Sequence, residues 1–352
     1  MTDYYVDPSG GSDANAGTSF GAAWATTQKA ADTAVAGDVV RLCKTATETV
    51  SAPIDFDTNN GTVSSMIRFV SYNSTGTTSE DGYTIQASAS IASVINIPDT
   101  DYIRFRGVVF DANSNATDAV LGSNTGSGFC YFRNCDFKNA TAAGVSILSQ
   151  QGWYFLDCNS FSNNVGLFHG TSNRGLVDWH GGSLHDNTTY GWRINRTDCT
   201  IKQCAVYDNG SHGFFCDSNS ARADIINCTF YGNGGDGVSM FTSAGRDLDA
   251  VIGCTFVGNG GYGIKTNSVN YVKNSYYNHS YGNTSGDEDV SGTLGEDLIG
   301  GDPLFTSVTD GAEDFAPLDG SPLDGTGVNG SDIGAVGSLD PTGGGGTVGF
   351  AL

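Results

Sequence analysis

The sequence predicts an all-β chain: a single-stranded parallel β-helix of roughly ten coils with a ~23-residue period. Three observations carry this. Cysteines stand at 135, 158, 204, 228 and 254, and Gly182 fills the one missing position, so successive gaps are 23, 24, 22, 24 and 26. Five residues after each of the anchors from Cys158 onward comes an asparagine, at 163, 187, 209, 233 and 259; in the first unit Asn139 is one residue early. Eight or nine residues after each anchor comes a glycine followed by an apolar residue: Gly144-Val145, Gly166-Leu167, Gly191-Trp192, Gly213-Phe214, Gly237-Val238 and Gly263-Ile264.

Each unit reads as strand rather than helix. Short runs such as DIINCTFYG and DGVSMFT alternate with N-G or N-G-G turns, and no unit contains a helical stretch or the leucine-rich pattern. Parallel coils stack ~4.8 Å apart, so a sequence column becomes a physical ladder. Cysteine on cysteine then packs as small apolar core. Asparagine on asparagine can bond through its amides and continue the backbone ladder at a bend. The glycine permits the bend that feeds the next strand. Residues two after the anchor, Phe137, Leu184, Val206, Phe230 and Phe256, belong inside, with Ser160 the exception. Cys130 and Cys199 suggest a second cysteine column.

Composition agrees and excludes other classes. The 352 residues carry 50 glycines, 15% charged residues and a net charge of 16 − 38 = −22. With 38% hydrophobic and 11% aromatic residues, the chain can bury a core. So acidic a chain repels phosphate backbones, which excludes nonspecific nucleic-acid binding. No apolar run is long enough to span a membrane. The start, MTDYYVDPSGG, has neither a basic nor an apolar leader region. The expectation is synthesis in the cytoplasm and residence in a virion, or secretion if a leader has been cleaved. Nine cysteines in a core ladder favour folding under reducing conditions.

The repeat resembles the right-handed parallel β-helix superfamily of pectate-lyase-like proteins, with phage spikes and fibres nearest in character. The start, YYVDPSGGSDANAGTSFGAAWATTQKAADTAVAGDVVRL, resembles that superfamily's N-terminal segment. The resemblance implies a short capping helix over 23–35, within a cap of residues 1–38. Residues 301–337 resemble its usual C-terminal cover. The division that follows is cap 1–38, β-helix 39–282 with regular coils over 129–282, cover 283–340 opening on a polar loop over 283–300, and Gly-rich tail 341–352. The superfamily holds lyases, hydrolases, adhesins and phage spikes, so the resemblance implies fold more than function.

Strand alternation assigns faces. Two residues after the repeat glycine, outward side chains are Ser146, Phe168, Arg193, Phe215, Ser239 and Lys265. Four residues after it they are Leu148, Gly170, Asn195, Asp217, Phe241 and Asn267. Solvated strands rarely carry three phenylalanines on one face. Phe168, Arg193, Asn195, Phe215, Asp217, Phe241 and Lys265 therefore form a candidate strip for glycan binding, where rings stack on sugars and polar groups meet hydroxyls. The same strip could instead be a subunit interface of a homo-oligomer, a trimer by preference, or be covered by the chain's own loops.

Catalysis has weaker candidates. Asp178, His180, His185 and Asp186 form the densest titratable group, in the unit that breaks the cysteine ladder, and read more readily as a polar bend than as an active site. Arg193 and Lys265 lie three coils apart, roughly 14 Å, too far to act on one sugar. His169 falls inward; His212 and His279 fall at bends and are expected in solvent. No cofactor is implied. Ca²⁺ has one local candidate, Asp236 in NGGDG over 233–237. The function expected is a virion-type structural or receptor-binding β-helix that contacts host polysaccharide. The alternative is a polysaccharide lyase or glycoside hydrolase acting on an acidic glycan. The absence of a tight carboxylate pair weighs against catalysis.

Overall fold

The computed structural model describes residues 1–44, 46–73, 82–98, 102–123, 129–148, 152–170, 175–195, 198–217, 222–240, 248–266, 272–290, 298–327 and 331–334. Within them the chain winds as a parallel β-solenoid whose strands form three ladders. The first runs from Asp3–Val6 and Val39–Cys43 through Phe129–Arg133 to Val272–Tyr276. The second includes Asp136–Lys138, Ala205–Tyr207 and Thr229–Tyr231. The third has ten strands, from Ile54–Asp55 through Tyr190–Ile194 to Gly286–Asp289. Its last strand corrects the expected polar loop over 283–300. The β-helix also starts earlier than expected, because Asp3–Val6 already pairs with Val39–Cys43.

The cap holds the one α-helix among the described residues, Thr27–Thr33, shorter than the expected 23–35. Trp24 remains extended and bridges Val6. The Thr26 hydroxyl then caps the helix by accepting from the Lys29 amide at 3.2 Å. Glu48 anchors the helix start, accepting from the Thr27 amide at 2.8 Å and from the Tyr83 hydroxyl at 2.6 Å.

Inside, the ladders are stacks of like side chains. Phe69, Phe105, Phe132, Phe155 and Trp179 run ring on ring along the first ladder, with centroids 5.2, 5.3, 5.2 and 4.6 Å apart. Phe230 and Phe256 stack at 5.2 Å and 11° in the second. All nine cysteines are buried and free. The thiols of Cys135, Cys158, Cys228 and Cys254 point at backbone carbonyls two residues earlier, at 3.3 to 3.4 Å. Burial pushes the Cys158, Cys204 and Cys254 thiols well above their usual value, so they are unreactive core.

Gly182 interrupts the cysteine column for a backbone reason. It sits at φ +71°, and a Cβ there would lie 1.9 Å from the Cys158 carbonyl oxygen. The repeat glycines answer to a different constraint from the one expected. Gly166, Gly191, Gly213 and Gly237 are not left-handed; a Cβ on each would meet the carbonyl of the glycine one coil on, at 2.4 to 2.7 Å. Close coil-to-coil approach, rather than bend freedom, selects them.

The asparagine column forms the ladder expected of it and extends one coil further. Asn163, Asn187, Asn209, Asn233 and Asn259 each pass an amide N–H to the next amide oxygen, at 2.8 to 3.2 Å, and the ladder ends on the Asn283 oxygen. Asn139 stands outside it and donates to Asp111 at 2.8 Å.

The C-terminal cover is an antiparallel hairpin, Phe305–Thr309 with Ala312–Pro317. It lies against the outer face of the second ladder, where Phe315 and Phe305 pack on Tyr207 and Tyr231. Burial there, with Asp186, Glu313 and Asp310 nearby, lifts Asp208 to about 6. The described part of the cover therefore protects the second ladder and leaves the third ladder's outer face to other contacts.

Candidate functional site

The third ladder brings the predicted strip together in its central coils. Register sets Phe168 opposite Arg193 and Arg193 opposite Phe215, all pointing outward and half-buried. The Arg193 guanidinium lies 5.5 Å from the Phe168 ring centre and 5.8 Å from that of Tyr190. Tyr190 stacks on Phe215 at 4.9 Å and 11°, and Phe215 on His212 at 5.1 Å and 21°. These five planar groups form one continuous platform across three coils. Asp217 holds Arg193 at its edge, accepting from Nη2 at 2.6 Å and from Nε at 3.2 Å. Its other oxygen, Oδ1, has no hydrogen-bond partner among the described residues. Asn195 is half-buried at the corresponding position one coil earlier.

The strip is shorter than the sequence implied. Ser239, fully buried, interrupts it after Phe215. Lys265 follows beyond that gap, 5.0 Å over Tyr262 and 3.8 Å from Asp289. Phe241 and Asn267 lie outside the described residues.

The sequence reading left Tyr190 out and placed His212 in solvent, yet a signal for both existed. Each stands three residues before an outward position, Arg193 and Phe215, and the same offset gives Asp236 and Tyr262 in the next coils. His212 is not the solvated bend residue expected: its ring lies near-parallel to those of Phe215 and Tyr190, 5.1 and 6.0 Å away, and its Nδ1 accepts from the Asp236 amide at 2.8 Å. Burial outweighs the nearby Asp236 carboxylate and holds His212 below the usual histidine value. Asp236 accepts from the Tyr262 amide at 2.8 Å, and its other oxygen lies 3.3 Å from His212. One carboxylate oxygen of the candidate Ca²⁺ ligand is thus engaged by a backbone amide. No group of three His, Cys, Asp or Glu among the described residues is arranged to hold a metal ion.

The densest titratable group divides between two ladders. Asp178 and His180 stand two residues apart on the first-ladder half of Leu176–His185, where His180 contacts Gln203. Past the turn at Gly181 and Gly182, His185 and Asp186 belong to the second ladder. There His185 pairs with Asp186 at 2.8 Å and stacks between Phe161 and Tyr207. His169 is in the core as expected, fully buried, whereas His279 corrects its assignment to solvent: it is also fully buried and lies 2.8 Å from the Gly301 carbonyl.

Residues 93–247 match the family described as right handed beta helix region. Among solved structures, the chain is similar to pectate lyase Pel9A over 95% of this chain and 96% of that one, with a TM-score of 0.66 and 16% identity. It also matches an alginate lyase from Paenibacillus sp. str. FPU-7 over 76% of this chain and 93% of that one, with a TM-score of 0.49 and 13% identity. A rhamnogalacturonan lyase matches over 97% of both chains, with a TM-score of 0.43 and 14% identity. No curated protein matches the chain.

Proposed function

We propose that this parallel β-solenoid, similar in fold to pectate lyase Pel9A, is a polysaccharide-binding protein that holds a glycan along the third ladder's outer face. The observation that carries this is the platform of Phe168, Arg193, Tyr190, Phe215 and His212. Flat rings in register offer the apolar faces on which sugars stack, and the half-buried Asn195 beside them offers a polar group for hydroxyls. The fold relative named a pectate lyase supports the same substrate class. The finer reading is a receptor-binding spike or fibre that contacts host polysaccharide as a homo-oligomer, with a trimer favoured. Its support is the nine buried free cysteines, which suit assembly in a reducing compartment. No catalytic role is assigned, because the carboxylate nearest the platform, Asp217, is bound to Arg193, and Asp178 with His180 faces a different side of the solenoid.

Phe215→Asp tests the proposal by placing a charge in the middle of the stack. The variant should keep its β-type circular dichroism and its oligomeric state by light scattering, while affinity for immobilised neutral polysaccharides falls about tenfold or more. Dissociation to monomers would make the strip a subunit interface instead. Unchanged binding and unchanged assembly would remove the strip as a functional site.

A further inference from the structure

The C-terminal hairpin, Phe305–Thr309 with Ala312–Pro317, is built as a piece that can move by itself. Its feet are pinned. The Gly301 carbonyl lies 2.8 Å from His279, and the Ser321 hydroxyl donates to the Pro303 carbonyl at 2.5 Å, clasping one foot to the other. Beyond them Leu323 and Ile333 are buried, and the Gly334 amide donates to the Gly253 carbonyl at 2.8 Å. Between pins and strands stand two left-handed residues, Leu304 at φ +50° and Gly320 at φ +83°. Leu304 is exposed, and a Cβ on Gly320 would meet nothing within 4 Å. These are hinge positions, where the backbone can change course without dislodging a packed side chain.

The hairpin meets the solenoid through rings. Phe315 packs on Tyr207 and Tyr231 with centroids 5.2 and 5.4 Å apart, and Phe305 on Tyr231 at 6.2 Å. Among the described residues no ion pair ties the hairpin to the solenoid. A contact made of rings is modest in strength, so a change in charge beside it can move it. The file beneath is longer than the hairpin: Phe161, His185 and Tyr207 stack in successive coils, 5.0 and 4.7 Å apart, and register adds Tyr231.

Charge works against closure. Asp186 and Asp208 follow His185 and Tyr207 at the left-handed turns of adjacent coils, at φ +51° and +50°. The hairpin brings Asp310 in its turn and Glu313 on the strand face that carries Phe315. Burial, and after it Asp186, Glu313 and Asp310, hold the Asp208 carboxyl up at about 6. Tyr207 and Tyr231 are raised as well, by burial first and by these carboxylates after it. The basic group among them is His185, which pairs with Asp186 at 2.8 Å. Asp314 lies on the opposite strand face and accepts from the Ala316 amide at 3.0 Å.

We infer that Phe305–Pro317 is a hinged flap that closes over Tyr207 and Tyr231 in acid and swings off as the solution becomes neutral, opening a file of rings from Phe161 to Tyr231. Closure desolvates Asp208 and sets two more carboxylates against it, so the closed state takes up a proton that the open state releases. Once open, Asp208 returns towards the ordinary aspartate value of about 4. Closure therefore has its full support below about pH 4 and loses it as pH rises through about 6. His185 can only lose charge as pH rises, which leaves Asp186 unneutralised and acts in the same direction. The flap does not rest on the third-ladder platform.

Hydroxyl-radical footprinting of the full chain at about pH 4.5 and 7.5 tests the flap, with the exposed Tyr276 as internal reference. Tyr207, Tyr231 and Phe315 should gain reactivity about threefold or more at the higher pH, with a midpoint near 6, while the buried Phe230 stays unreactive. Asp208→Asn removes the proton that closure takes up, and asparagine suits the left-handed turn as well as aspartate does. This variant should stay protected at both pH values. If it does not fold, Glu313→Gln on the hairpin takes its place and should show a smaller gain than the unaltered chain. Equal reactivity of the unaltered chain at both pH values, whether protected or open, overturns the inference. So does a gain that the substitution leaves intact, or one that Phe230 shares, because the ladder itself would then be opening.

Discussion

Phe230→Ala should cost about 3–5 kcal/mol of folding stability, the range for truncating a buried aromatic. Phe230 is fully buried and stacks on Phe256 at 5.2 Å in the next coil. Its partner one coil earlier is Val206, and the Cys204, Cys228 and Cys254 column flanks it. A solenoid core has neighbours mainly above and below, so the removed ring leaves a cavity that only adjacent coils could fill, and those are fixed by ladder hydrogen bonds. The measurement is urea unfolding monitored by circular dichroism. A loss below ~1 kcal/mol would mean that the second ladder does not face a packed core.

Asn209→Ala should be comparably damaging through a different mechanism, with a loss of about 3 kcal/mol or more. The Asn209 amide nitrogen lies 3.0 Å from the Leu184 and Tyr207 carbonyls and 2.9 Å from the Asn233 amide oxygen. Its own oxygen accepts from the Asn187 backbone and side-chain nitrogens at 3.2 and 2.9 Å. Alanine strands several buried polar groups at once, each worth about 1–3 kcal/mol when left unsatisfied. Asn283→Ala, at the end of the same ladder and only partly buried, should cost less by the same unfolding assay. Equal, small losses at both positions would show that the amide ladder is incidental to stability.

The inward columns were legible in the sequence because stacking punishes variation. A cysteine or asparagine that must fit against its own kind one coil away recurs at a fixed spacing, and even the exception, Gly182, marks a backbone that admits no side chain. The outward face is less constrained. Alternation located Phe168, Arg193, Phe215 and Asp217 correctly, but it gave no sign that Arg193 and Asp217 neutralise each other across coils. Tyr190, the first residue of its strand, and His212, before the start of the next, directly precede the repeat glycines and lie outside simple strand alternation.

Outward columns of the first ladder were hidden by irregular spacing. Arg68 and Arg104 face each other across adjacent coils although 104 − 68 = 36 residues separate them, against 215 − 193 = 22 for Arg193 and Phe215. Where loop lengths vary so much, a sequence column cannot be carried from one coil to the next, and only the strand register reveals it. The same reasoning explains the divided titratable group: Asp178 and Asp186 are eight residues apart, yet the turn at Gly181 and Gly182 puts them on different ladders.

The central claim, that a glycan lies along the third ladder, is tested most directly by hydroxyl-radical footprinting with and without saturating neutral polysaccharide. Phe168, Tyr190 and Phe215 should lose reactivity on binding, while the exposed Tyr276 and Tyr281 keep theirs. Unchanged reactivity at Phe168, Tyr190 and Phe215 under demonstrated binding would contradict the account and move the glycan to another face.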